Sequence, residues 1–272
     1  MKMKKDFDLK GISKHDAQKL VAVCLLTDGS LKWNKAKQSF IITFHNKDEC
    51  LHELFKNLLW IGFNETPTFD KLFHKGVLNT GVVRKKDREI VSTLFSLSPT
   101  FKTKPFRCSK EEFLNSPQPT ISFLLKNRIK LQKLAFRIAM ACDGSIGICI
   151  KKDGSFKPRL RLGCAHPFLL EEWKILTEKI GLKMNIEKDR NTWSGFHSLE
   201  TSSIEEIKKF HEMGGFLPEE VIARRGKFKG IRKNTILELA LNLKSINNFI
   251  GKKSVGNVRL RGSRPQTSSS LV

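Results

Sequence analysis

Two stretches of this chain are built alike, and that duplication constrains the fold more than any other feature. Leu20-Val-Ala-Val-Cys-Leu-Leu-Thr-Asp28-Gly29-Ser30 and Phe136-Arg-Ile-Ala-Met-Ala-Cys-Asp143-Gly144-Ser145 are apolar runs closed by Asp-Gly-Ser, their aspartates 115 residues apart. An Asp-Gly pair alone is a common turn, which is what Asp153-Gly154 is expected to be. Two copies with matching sequels are stronger evidence. Each is followed by two strand-like runs (31–37 and 39–44; 146–150 and 156–162) and a helix-like segment (48–61, ending at Gly62; 168–180, stopping at Gly181). Two more strand-like pieces (69–73 and 77–83; 183–188 and 193–199) and a further helix (86–96; 203–213) complete each copy. The chain therefore reads as an α+β protein of two pseudo-symmetric αββαββα repeats, spanning 1–97 and 126–213.

The segment 98–125 holds four prolines and reads as a linker with one short helix, where Ser109 and Glu112 form a capping box. Ser202 with Glu205, or Ser203 with Glu206, would cap the last helix of the second repeat. Residues 214–272 read as a basic extension. Its one helix is expected from about Thr235 to Phe249, and its Ser-rich tail is expected to be disordered.

A surface helix carries its apolar residues on one side. Val21 to Leu26 and Ile138 to Cys142 are apolar all round, so both helices should be buried. Ala22 and Cys24 in one, and Ala135 and Ala139 in the other, would let them pack closely as a pseudo-two-fold pair. Gly29 and Gly144 would then turn the chain sharply into a strand. That packing sets Asp28 and Asp143 side by side, and two adjacent carboxylates invite divalent cations.

The rest of the composition points to a polyanion. Fifty Lys and Arg against 27 Asp and Glu give a formal charge of +23, an excess that persists where an anionic partner neutralises it. Nucleic acid leads as that partner. No run approaches the roughly 20 apolar residues of a membrane span, and no helix has the large apolar face of a membrane-surface binder. Residues 1–10 are basic without an apolar stretch behind them, which argues against a secretory signal. The six cysteines form no CxxC pair and fit reduced thiols, so an intracellular, cytoplasmic protein is expected.

On these motifs the chain resembles the LAGLIDADG homing endonucleases in their two-repeat, monomeric form, over about residues 14–213. It departs from the motif where the earlier aspartate is Leu26 and Ala141, and where the packing glycine is Val23 and Ile138. The resemblance implies a saddle of two curved antiparallel sheets, joined through the paired signature helices and seated in the DNA major groove. It implies metal ligation by Asp28 and Asp143, assisted by the carbonyls of Thr27 and Cys142, with two or three Mg²⁺ ions at the DNA-bound site. It also implies water-ordering residues at His45 and His166, and a basic catalytic residue at Arg84 or Lys85, where the second repeat has Thr201. The implied activity is site-specific hydrolysis of double-stranded DNA at a long, asymmetric target. The alternative is an RNA maturase, with intron RNA as partner, or a non-cleaving DNA-binding regulator.

Strand alternation adds candidate DNA contacts. In 156–162, Lys157, Arg159 and Arg161 fall on one face and Phe156, Leu160 and Leu162 on the other. Lys32, Asn34, Lys35, Lys37 and Gln38 cluster in the first hairpin, and Lys188, Arg190, Asn191 and Thr192 in a later one. Arg and Lys can pair with guanine edges, Asn and Gln with adenine. Lys227, Lys229, Arg232 and Lys233 are expected to contact phosphates.

Overall fold

The computed structural model describes residues 9–74, 77–85, 89–103, 109–150, 156–188, 197–222 and 228–242. At its centre lie the two apolar helices. In α1 (Lys14–Leu26), the Ser13 hydroxyl caps the first turn by accepting from the Asp16 amide, and Leu20 to Leu25 are at most 1% exposed. In α6 (Ile129–Asp143), Ala135, Phe136, Ile138, Ala139 and Met140 are fully buried. The helices run parallel and are tied at one end. The Arg128 guanidinium meets Asp16 at 2.5 Å, and Lys19 donates to the Asn127 side chain at 2.8 Å. At the other end Thr27 and Cys142 both line one cleft.

Each helix feeds a four-stranded antiparallel sheet of the same topology. The first contains β1 (Gly29–Asn34), β2 (Ser39–Asn46), β3 (Phe69–His74) and β4 (Val77–Lys85) in the order β1-β2-β4-β3. The second contains β5 (Gly144–Ile150), β6 (Phe156–Cys164), β7 (Asn185–Lys188) and β8 (His197–Thr201) in the order β5-β6-β8-β7. Helices α2 (Glu49–Phe63) and α3 (Glu89–Leu97) complete the first unit, α7 (Pro167–Lys179) and α8 (Ile204–Glu212) the second. Alternation divides each sheet. Ile42, Phe44 and Val82 in one, and Leu160, Leu162 and Leu199 in the other, bury against the helices, and the opposite faces are more polar.

Both glycines that follow the aspartates are needed for close approach, not for an unusual backbone angle. Gly144 has an ordinary φ of −88°, but a Cβ there would run into the Met140 carbonyl. At Gly29 a Cβ would lie 2.8 Å from the Leu25 Cα. Gly62 does not end α2 as expected. It lies inside the helix, where its carbonyl accepts from Gln18 of α1 at 2.9 Å, and the helix ends at Asn64 in the left-handed region.

The connecting segment carries α4 (Lys110–Leu114), started by the Ser109/Glu112 capping box, and α5 (Ser122–Leu125). It is fastened to α7, because Glu172 accepts from the Thr120 hydroxyl and the Ile121 amide, each at 2.6 Å. Ser203, paired with Glu206, caps α8.

The extension begins as part of the core. Phe216 meets Phe210 edge-on at 5.1 Å, Phe210 meets Phe136 in the same way, and Arg137 donates to the carbonyls of Gly214 and Gly215. Helix α9 (Lys233–Leu241) buries Ile236, Leu237 and Ala240 completely. It starts two residues earlier than its Thr235/Glu238 signal suggests, because an isolated bridge between Val221 and Arg232 fixes where the chain enters the helix. Among the described residues, no helix is long and apolar enough to cross a membrane.

Candidate active site

The parallel central helices open at their C-terminal ends into a cleft of about 570 Å³ lined by both repeats and by the extension. Thr27 and Asp28 enter it from the first repeat, and Cys142 and Asp143 from the second. Burial, reinforced by the Asp28 and Asp143 charges, holds the Cys142 thiol well above its usual range, which places all three groups in one electrostatic neighbourhood.

The two aspartates are held differently. On the first side, the Asn46 amide donates to the Asp28 carboxylate at 2.6 Å, and the His45 main-chain N–H donates to the Asp28 carbonyl at 2.9 Å. The His45 ring lines the cleft with both nitrogens engaged, one with the Thr43 hydroxyl at 2.7 Å and the other with Asn79. It is a braced wall of the site, with its ring orientation fixed from two sides.

On the second side, Lys233 reaches in from the start of α9. Its ammonium donates to the Gly144 carbonyl at 2.8 Å and approaches that of Ala141 at 3.5 Å, so it caps the C-terminal end of α6 around Asp143. It pairs with Glu220 and lies 5.1 Å from the centre of the Phe216 ring. Glu220 is fully buried, and that burial pushes its carboxyl up to about 7 against the pull of Lys233. The Asp48 carboxyl is raised for the same reason and feels the same lysine, so the first repeat and the extension meet at this point. The basic run predicts a phosphate contact for Lys233. Its side chain is 11% exposed and anchors the cleft floor instead.

Two expected catalytic positions lie elsewhere. His166 is fully buried, flanked by Phe113 and Phe168. It caps α7, with Nδ1 accepting from the Leu169 amide, and burial pushes its pKa down to about 4. It is a structural cap and is not among the cleft-lining residues. Arg84 and Lys85 lie at the far end of β4. Asn79 pairs with His45 beside the cleft, whereas Lys85 pairs with Ser39, about 20 Å further along at the usual strand rise. Glu89, just beyond, pairs with Lys14 in the first turn of α1, at the opposite end of that helix from Asp28.

Flanking the cleft, the polar face of β6 presents Lys157, Arg159 and Arg161, and Arg161 reaches the cleft lining. Glu200 of β8, with its side chain 9% exposed, binds Arg159 at 2.5 and 2.6 Å and Arg161 at 3.2 Å. On the first sheet Lys32 is exposed in the register of Ile41, on the face that carries Thr43 and His45. Lys35 and Lys37 are exposed in the turn. Asn34 and Gln38 close that turn, one accepting from the Lys37 amide and the other donating to the Lys35 carbonyl. Lys188 is exposed at the end of β7 in the register of Ile186, the opposite face from Glu200. Lys229 is exposed, and Arg232 is paired with Glu219 at 2.9 Å. Arg190, Asn191, Thr192 and Lys227 lie outside the described residues.

The donor set suits a hard divalent cation. Two carboxylates and backbone carbonyls provide oxygen ligands, and Mg²⁺ completes its shell with water and phosphate. No group of three or more His, Cys, Asp or Glu is arranged to hold a metal among the described residues, so the protein part of any such shell is sparse.

No protein-family model matches the chain. No curated protein matches it either. Solved structures do. The LAGLIDADG homing endonuclease I-GzeII in complex with its DNA target aligns at a TM-score of 0.52 and 16% identity, covering 88% of this chain and 95% of that one. Mesophilic variants from the homing endonuclease I-DmoI align at 0.51 and 14% identity, covering 76% and 96%. At these identities the likeness is one of fold: the chain has the two-repeat LAGLIDADG architecture.

Proposed function

We propose that this chain is a site-specific DNA endonuclease that hydrolyses phosphodiester bonds in both strands of a long, asymmetric target. The observation that carries the reading is the shared cleft: Asp28 and Asp143, delivered by two parallel buried helices, open into one cavity between sheets with basic side chains. The two solved structures of the same fold described above are homing endonucleases, one of them bound to target DNA. One chain supplies both halves of the cleft, which suits action as a monomer. Its scattered cysteines suit a reducing interior.

In this reading Asp28 and Asp143 hold divalent ions, Mg²⁺ in the cell, with help from the carbonyls of Thr27 and Cys142. Such ions supply charge neutralisation at the phosphoryl group and an acidified water. The protein's share is position. Asn46 orients Asp28, Lys233 holds the main chain around Asp143, and His45 fixes the wall between β1 and β4. Lys32, Lys35 and Lys37 on one sheet, and Lys157, Arg159 and Arg161 on the other, meet the duplex. Lys227, Lys229 and Arg232 add phosphate contacts from the extension, and Lys188 with the 190–192 segment forms a further polar hairpin against the duplex. The sheets differ at nearly every such position, which makes the target asymmetric.

The test is cleavage of a random or genomic duplex library with Mg²⁺, with and without EDTA, using the wild type beside Asp28→Asn. Discrete metal-dependent double-strand breaks that disappear in the variant are expected. Tight binding without breaks would move the reading to a regulator, or to a maturase if intron RNA binds more tightly than DNA.

A further inference from the structure

We infer that Glu200 is a specificity-determining residue: it presets Arg159 to read guanine in the DNA major groove. The inference rests on the DNA-binding reading above and not on cleavage. A carboxylate on a face that meets a polyanion needs a reason, and its partners supply one. Glu200 is 8% exposed, accepts from Arg159 and the Ser198 hydroxyl, and forms an ion pair with Arg161. Two guanidiniums around one carboxylate leave the trio with a net positive charge, so the face still attracts phosphate. What the carboxylate adds is orientation.

The geometry at Arg159 is specific. Glu200 engages Nε and Nη2, one side of the guanidinium fork, at 2.5 and 2.6 Å. A guanidinium has five N–H donors, so about three remain, including those on Nη1. These lie along the edge that bonds to the O6 and N7 acceptors of guanine. The Arg159 side chain is 47% exposed, so that edge is accessible. An unsupported arginine on a strand loses several rotatable bonds' worth of freedom on binding, whereas a clamped one has already lost it. The clamp also fixes the plane of the fork, so that two donors can meet O6 and N7 together, the acceptor pair that separates guanine from the other bases. Lys157, on the same face, is a flexible point charge and is expected to contribute affinity without base preference.

The experiment is selection of bound duplexes from a randomised library, followed by sequencing, with the full chain in Ca²⁺ so that binding is read without cutting. Wild type, Glu200→Gln, Arg159→Lys and Lys157→Ala are compared, with thermal unfolding measured for each. The wild type should select guanine at one position, and Glu200→Gln should weaken that preference about tenfold while preferences elsewhere hold. Arg159→Lys should remove the same preference, and combining the two changes should cost nothing further at that position. Lys157→Ala should lower affinity for all sequences alike. An unchanged preference profile in a folded Glu200→Gln protein would overturn the inference and leave the DNA-binding reading intact. Failure of the wild type to select any duplex would overturn both.

Discussion

The two halves of the cleft start from the same sequence motif and reach the same place by different means. In the first repeat the support is local. Asp28 is held by Asn46 at the end of β2, only 18 positions away, and His45 is braced by Thr43 and Asn79 within the same sheet. In the second, Gly163 stands at the register position of His45, His166 is a buried helix cap, and support comes from Lys233, 89 positions beyond Gly144. These supports of Asp28 and His45 lie within their own repeat, and Asp48 beside them also feels Lys233. The second half depends on the docked extension, so damage to the extension should act on one half more than the other.

The largest effect that would break this comparison is at Lys233. Lys233→Met leaves Glu220 buried and unpaired, and losing one partner of a buried pair costs about 3–5 kcal/mol. Chemical denaturation should show that loss, and adding Glu220→Gln should recover most of it. A single variant as stable as the wild type would mean that the extension does not anchor the cleft.

Acid should act next, through the buried cap. His166 has its folded pKa pushed down to about 4, so between there and the ordinary value near 6.5 the unfolded chain binds the extra proton. This contribution to stability is intact above about 6.5 and falls as pH drops toward 4, by up to about 3 kcal/mol. His166→Asn, which can still cap α7, should flatten that part of the stability–pH curve. An unchanged curve would remove the buried cap from the account.

The smallest effect is on the first half. Asn46→Ala removes one hydrogen bond to a charged carboxylate, a loss of about 1.5–3 kcal/mol where the group is desolvated and less where water substitutes. It should slow cutting of one strand and leave DNA affinity nearly unchanged. Equal slowing of both strands would show that the halves are not served separately.

Much of the architecture is legible in the sequence because it rests on local signals repeated twice. Apolar runs, period-two strands and the Ser109/Glu112 cap fall where the structure has them. The role of His166 was legible too. Pro167 at the first helical position marks the residue before it as a cap, and that signal outweighs the resemblance of position. Arg84 and Lys85 were misplaced because strand register, which decides which end of β4 faces the cleft, is not written in either residue. Asn46, Glu200 and Glu220 carry no motif, and each matters only through a partner distant in sequence. Lys233 looked like one more residue of a basic run, and only the packing of α9 shows that it turns inward.

The most direct test of the central claim is strand-resolved cleavage. Each strand of the selected duplex is end-labelled, and cut rates are followed for wild type, Asp28→Asn, Asp143→Asn and Lys233→Met/Glu220→Gln at equal occupancy. Either aspartate change should reduce cutting of at least one strand about a thousandfold, near 4 kcal/mol of barrier, with binding retained. The double variant should share the strand bias of Asp143→Asn. Full cutting of both strands in the two aspartate variants would contradict the site.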